Sequence, residues 1–131
     1  MRWRQGSHKF YQEASLPIEV EGRPELNGRI ALTAHIARIP RKYGFALLLG
    51  SEAALRLDVN PGSTHFDPIS LKSVGGTHWQ PWPGSRAIED KRDFNHLGWF
   101  NEFVTKTNVR YIGNYRPPPY EGGEQIGLIV P

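Results

Sequence analysis

The alternation of apolar and polar residues is clearest between residues 28 and 59. Every second residue from Ile30 to Ile36 is apolar, a continuous apolar run covers Phe45 to Leu49, and alternation resumes from Leu55 to Val59. Successive side chains of a β-strand point to opposite faces of a sheet, so this pattern predicts three strands with one apolar and one polar face. The short turns between them favour an antiparallel meander.

The spacing becomes helical over residues 89–107. Apolar residues recur there at Phe94, Leu97, Phe100, Phe103 and Val104. This pattern predicts a helix that Asp90 or Asp93 caps and that covers the apolar face of the sheet. His96, near its start, is expected to be a partly exposed helical residue.

These patterns predict a single α+β domain, in which a strongly curved antiparallel sheet of about five strands packs against one C-terminal helix. A length of 131 residues suits one domain with one core. We expect an N-terminal arm over residues 1–14, the sheet and site loops over 16–82, the helix over 89–107, and a C-terminal strand or tail over 109–131.

Composition narrows the class of protein only slightly. The chain has no cysteine, which excludes disulfides and thiolate zinc sites. Its longest apolar run is too short to span a membrane, and its charged N-terminus has no hydrophobic segment behind it, so we expect a soluble cytoplasmic protein without a membrane partner. The net charge of +3 permits a nucleic-acid partner without requiring one.

The stretch from Arg56 to Trp82 is dense in polar residues and turn formers, and we expect it to hold the functional site. His35, Arg56 and Asp58 alternate with the apolar residues of the meander, so they should share its polar face. A register slip of one residue would move them to the other face.

Loop residues add to this predicted site. His65 and Asp67 follow directly after the last strand of the meander, and His78 comes after a Gly-Gly turn that can return the chain to the same face. The pattern therefore predicts that polar side chains from two separate segments converge above the meander.

Two histidines can accept and return a proton near neutral pH, which suits cleavage of RNA by its own 2′-hydroxyl group without a cofactor. In this hypothesis His65 and His78 form the acid/base pair. Arg56 holds the phosphate, Asp58 orients one imidazole, and His35 is a reserve candidate. We therefore expect a metal-independent endoribonuclease of the toxin or defence type.

Two other functions remain open. A non-catalytic module would bind nucleic acid or a protein partner through stacking and basic residues. The candidate contacts to nucleic acid, RNA being favoured, are Arg41, Lys42, Trp79, Trp82, Arg86, Lys91 and Arg92. A metal-dependent enzyme would instead use His65, Asp67 and His78 as ligands for zinc, manganese or iron.

Basic and aromatic residues interleave in residues 1–14. This pattern is typical of an arm that contacts nucleic acid through rings and cations. The alternative is a terminus that packs Trp3 and Phe10 onto the domain, and this is the more frequent arrangement.

One series of residues between the third strand of the meander and the helix forms a motif. Arg56-x-Asp58-x-Asn60 is followed by His65, by Gly76-Thr77-His78 and by an acidic-to-aromatic helix. This series resembles small bacterial domains of unknown function that carry an R-x-D-x-N strand end, a following histidine and a G-x-H strand before a C-terminal helix. The match covers residues 45–108. The resemblance implies that the Arg56 to His78 region is a shared feature, and it implies nothing about a substrate.

Overall fold

The computed structural model describes residues 1–19, 27–61, 65–67, 72–74, 76–81 and 86–120, with side chains described for all of these except 65–67 and 72–74. Within these ranges the chain forms ten strands and one helix. In chain order they are β1 (Arg4–Gln5), β2 (Tyr11–Glu19), β3 (Gly28–His35), β4 (Lys42–Leu49), β5 (Glu52–Val59), β6 (His65–Asp67), β7 (Lys72–Val74), β8 (His78–Gln80), β9 (Ile88–Glu89), α1 (His96–Thr107) and β10 (Arg110–Tyr111).

Eight of these strands form one antiparallel sheet in the order β1-β2-β3-β4-β5-β8-β9, and β10 pairs with β2. The separate strands β6 and β7 pair only with each other in the described residues. The predicted meander β3-β4-β5 is confirmed, but the predicted number of about five strands is wrong. Strands β1, β8, β9 and β10 have two or three residues each, which is too short to show a period-two pattern.

The N-terminal segment, residues 1–14, pairs with the rest of the sheet. It contributes β1 and the first half of β2, and β2 pairs with β3 along most of its length. The indole N–H of Trp3 donates to the carbonyl of Arg116 at 3.0 Å, and the Trp3 ring meets the His96 ring edge-on. Residues near both ends of the described chain therefore hold one another in place.

The core forms where the apolar face of the sheet meets α1. The strand register aligns Ala14, Leu32, Phe45, Leu57 and Trp79 in one row across five strands. All five side chains are buried. This row confirms the predicted apolar face of the meander, and burial of apolar side chains such as these is the main favourable contribution to folding.

Helix α1 packs on this row through aromatic side chains. Phe103 stacks on Phe45 with ring centroids 5.6 Å apart and on Trp79 with centroids 6.0 Å apart. Trp99 and Phe100 are also buried, whereas Leu97, which the helical spacing placed in the core, is 46% exposed.

The helix begins at His96, seven residues later than residue 89, where the spacing placed it. The cap is Asn95, whose side-chain oxygen accepts the backbone N–H of Gly98 at 2.8 Å. Asp90 is not available as a cap because its carboxylate accepts the indole N–H of Trp79 at 3.0 Å. The helix ends at Thr107, and the C-cap residue Asn108 has a left-handed backbone and donates its N–H to the Val104 carbonyl. No helix in the described ranges is long and apolar enough to cross a membrane.

His96 lies inside the core, which corrects the expectation of a partly exposed helical residue. Its side chain is 1% exposed. The imidazole packs against the rings of Tyr43 and Phe45, and its Nδ1 contacts the hydroxyl of Tyr115. Burial lowers the pKa of His96 to about 3, so the ring is neutral at physiological pH.

This buried ring makes stability depend on pH. The pKa of His96 is about 3 in the folded protein against an ordinary value of 6.5, so the unfolded chain binds the proton first as the pH falls. The free energy of unfolding should therefore decrease by up to about 1.4 kcal/mol per pH unit between these two values. We predict that His96→Gln removes this contribution, measured by urea unfolding from about pH 7 to pH 4. Equal pH slopes in the two proteins would contradict the prediction.

Candidate functional site

The polar face of the sheet brings Asp58 and His78 together. Strand register places Thr33, Gly44, Asp58 and His78 in one row across β3, β4, β5 and β8. Asp58 and His78 are direct cross-strand partners, and Nε2 of His78 lies 3.3 Å from Oδ2 of Asp58. The predicted convergence of these two residues on one face is therefore present.

A cleft of about 350 Å³ opens over this pair. Its described lining consists of Tyr11, Thr33, Lys42, Tyr43, Gly44, Asp58, Val59, Asn60, Gly76 and His78. Five strands, β2, β3, β4, β5 and β8, thus supply polar side chains, directly or from the residue that follows them, to one small concave surface. Such a surface, with a few convergent polar groups, is the usual form of a ligand site.

Gly44 keeps this cleft open. A Cβ atom at this position would lie 3.2 Å from Oδ1 of Asp58 and 3.5 Å from the hydroxyl oxygen of Thr33. Glycine in the interior of a strand weakens the strand and often marks a place where other groups approach the backbone closely. Here the approaching group is the carboxylate of Asp58.

The pair presents one edge to solvent. The Asp58 side chain is 55% exposed and the His78 side chain 23%. Nδ1 of His78 is buried and has no hydrogen-bond partner in the described part of the chain, and the same is true of Oδ1 of Asn60. The edge that a bound molecule can reach is therefore the one formed by Nε2 of His78 and the Asp58 carboxylate.

His35 lies on the same polar face but has another role. Its Nδ1 accepts the backbone N–H groups of Ala37 and Arg38 at 3.2 and 3.0 Å, so this nitrogen holds the turn after β3 and cannot act as a base. The ring also stacks on Phe10. His35 is not among the described residues that line the cleft.

Arg56 lies one row further along β5, opposite Gln80. It is exposed and shares the polar face with Asp58, as predicted, but it does not belong to the described lining of the cleft. Lys42 does line the cleft, and it is the lysine or arginine that the described lining offers for a phosphate.

The other two loop residues are described only in their backbone. His65 and Asp67 form the ends of β6, opposite Val74 and Lys72 of β7. Their side chains lie outside the described residues, so the pairing of His65 with His78 and the metal ligand set with Asp67 stay predictions. Among the side chains that are described, no three acidic or histidine residues form a metal-binding group.

The predicted stacking role of Trp79 is wrong. Its side chain is 3% exposed, and its ring lies parallel to Phe103 in the core with an interplanar angle of 4°. A base cannot stack on a ring that is already covered. Trp82, the second predicted platform, lies outside the described residues.

The basic residues predicted to contact nucleic acid differ in the contacts that they make within the protein. Arg92 is bound by Asp90 and Glu102. Its hydrogen bonds lower the pKa of the Asp90 carboxyl far below its ordinary value, so this network is ionised and stabilises the loop before α1. Arg41 packs on the Tyr120 ring. Arg86 and Lys91 are exposed on the surface.

Sequence reasoning missed several residues of the cleft. Tyr11 begins β2 opposite His35, and Thr33 stands opposite Gly44. Gly44, directly before the predicted apolar strand Phe45 to Leu49, was the available signal, because a glycine in a strand often marks a close approach to the backbone. The position of Tyr11 could not be predicted, because it depends on the pairing of β2 with β3.

Comparisons with protein-family models, with curated proteins and with solved structures give no match for this chain. The resemblance to small bacterial domains therefore stays a prediction. The geometry of the cleft is what supports a functional proposal.

Exposure of the Asp58–His78 pair predicts that it contributes little to stability. Exposed ion pairs contribute less than about 1 kcal/mol. Asp58→Asn should therefore change the free energy of unfolding by less than that amount, measured by urea unfolding. The matched variant is Asp90→Asn, at a side chain that is only 10% exposed and bonds to Trp79 and Arg92. Because it weakens these hydrogen bonds, it should lower the free energy of unfolding by about 1–3 kcal/mol. A larger loss in Asp58→Asn than in Asp90→Asn would show that Asp58 is a structural residue.

Proposed function

We propose that this protein cleaves RNA by metal-independent acid/base chemistry in the cleft over β4, β5 and β8. The observation that carries the proposal is the contact between Asp58 and His78 at 3.3 Å on an open polar surface. Imidazole and carboxylate side chains are common proton-transfer groups in catalysis, and this contact brings one of each to the same open surface.

In the proposed reaction the 2′-hydroxyl oxygen attacks the adjacent phosphorus. The proton of that hydroxyl passes to the exposed carboxylate of Asp58, which Nε2 of His78 contacts through Oδ2. A bond forms between the 2′-oxygen and phosphorus while the bond from phosphorus to the 5′-oxygen breaks. The leaving 5′-oxygen receives a proton from a second group, for which His65 is the predicted residue.

Negative charge increases on the phosphate oxygens during this step. Lys42 lines the cleft, and its ammonium group can stabilise that charge more effectively in a partly enclosed site than in water. Arg56, one row away on the same face, is the predicted contact to a neighbouring phosphate. The reaction requires no cofactor.

A purified sample incubated in EDTA with labelled single-stranded RNA tests this proposal. Wild type should cleave RNA and leave DNA of the same sequence intact, since DNA lacks the 2′-hydroxyl group. His78→Gln and Asp58→Asn should each lower the cleavage rate by about 10²–10⁴, the usual contribution of general acid–base catalysis. The matched control is Glu13→Gln, which changes an exposed carboxylate on the same sheet face, outside the described lining of the cleft; its rate should stay within about two-fold.

Each other outcome has a distinct meaning. Unchanged cleavage in both His78→Gln and Asp58→Asn would contradict the proposed site. Cleavage that EDTA abolishes would support the metal-dependent enzyme. Binding of RNA without cleavage would support the non-catalytic module.

A further inference from the structure

We infer that four rings beside the cleft form a binding site for an unpaired stretch of nucleic acid. These rings belong to His8, Phe10, Tyr11 and His35, and we call them the aromatic platform. The identification of the ligand as RNA rests on the proposed function. The platform explains in addition how the RNA is held and why unpaired RNA is selected.

The rings of the platform form one continuous series. Phe10 stacks on His35 with centroids 5.7 Å apart and an interplanar angle of 20°. Tyr11 meets His35 edge-on at 5.0 Å, and His8 meets Tyr11 edge-on at 6.0 Å. Phe10 is nevertheless 41% exposed, so part of this aromatic surface remains accessible to a base.

The backbone holds this series in place. The carbonyl of Phe10 accepts the N–H of Ile36 at 2.9 Å, and the N–H of Tyr11 donates to the carbonyl of His8 at 3.0 Å. His35 is fixed by the two backbone groups that donate to its Nδ1. Rings that are already ordered lose little entropy when a base stacks on them, which favours binding.

Two cations lie over the rings. Nζ of Lys9 is 5.2 Å from the centroid of Phe10, and Nζ of Lys42 is 5.8 Å from the centroid of Tyr11. Bases that stack on aromatic rings beside phosphates that meet cations are the usual mode of binding to single strands. A lysine has a flexible side chain, so Lys9 can move from the ring to a phosphate when a base occupies the ring.

The platform is continuous with the cleft. Tyr11 and Lys42 belong to the described lining of the cleft as well as to the surroundings of the platform. A strand whose base stacks on Phe10 can therefore pass Tyr11 and reach the Asp58–His78 pair. Bases in a duplex are already stacked on their neighbours and do not expose a free face, so the platform selects unpaired RNA.

Binding of a fluorescent single-stranded oligonucleotide tests the inference, measured by fluorescence anisotropy. The probe carries 2′-O-methyl groups, which block the attacking hydroxyl and prevent cleavage. Phe10→Ala should raise the Kd by about 5- to 150-fold, the range for loss of one stacked base. Phe10→Leu keeps an apolar side chain just before β2 but removes the ring, so it should also weaken binding. Phe10→Trp keeps an aromatic ring and should bind as tightly as wild type. The matched control is Ile88→Ala at the far edge of the sheet, where the side chain is 54% exposed; its Kd should stay within about two-fold.

Salt dependence tests the role of the cation. Lys9→Gln should reduce the slope of log Kd against log salt concentration by about 0.7, the value for one phosphate contact on a single strand. A slope equal to that of wild type would remove Lys9 from the binding site.

The outcomes separate this inference from the proposed function. Wild type that binds the single strand more tightly than a duplex, and loses affinity in both Phe10→Ala and Phe10→Leu, supports the platform even where no RNA is cleaved. An affinity unchanged by both substitutions, equal affinity for duplex and single strand, or no binding by wild type would overturn it, even where the cleft cleaves RNA.

Discussion

The register of the antiparallel strands β3, β4, β5 and β8 is the constraint on which the site depends. Leu57 and Val59 are buried, so the residue between them, Asp58, must point to the polar face. Trp79 is buried in the same way and places His78 on that face. The pairing of β5 with β8 then sets Asp58 directly opposite His78. The apolar side chains that stabilise the core therefore also determine the position of the polar pair.

Alternation along the chain was sufficient to predict the meander, its apolar face and the position of Asp58, because period-two geometry is local. The extra strands could not be predicted, since two or three residues pair only when a longer neighbouring strand is already in place. The helix start was misplaced because Asp90 looks like a cap in the sequence but bonds to Trp79, a residue eleven positions away. Tertiary contacts of this kind override local preference.

The exposure of the aromatic residues could not be predicted from the local sequence either. Trp79 resembles a stacking platform in sequence but is needed in the core, where it packs on Phe103. Phe10 was expected to pack onto the domain, because that arrangement is the more frequent one at a terminus. It is partly exposed and stacks on His35. Which large aromatic residue is free to contact a ligand depends on how the helix covers the sheet, and a single sequence does not specify that arrangement.

A double-mutant cycle on RNA cleavage tests the central claim most directly. If Asp58 and His78 act as one proton-sharing unit, the variant that combines Asp58→Asn with His78→Gln should cleave RNA no more slowly than the slower single variant, because groups that act as a unit are strongly non-additive. If the two losses in rate multiply instead, the residues act independently, and the contact seen between them has no part in catalysis.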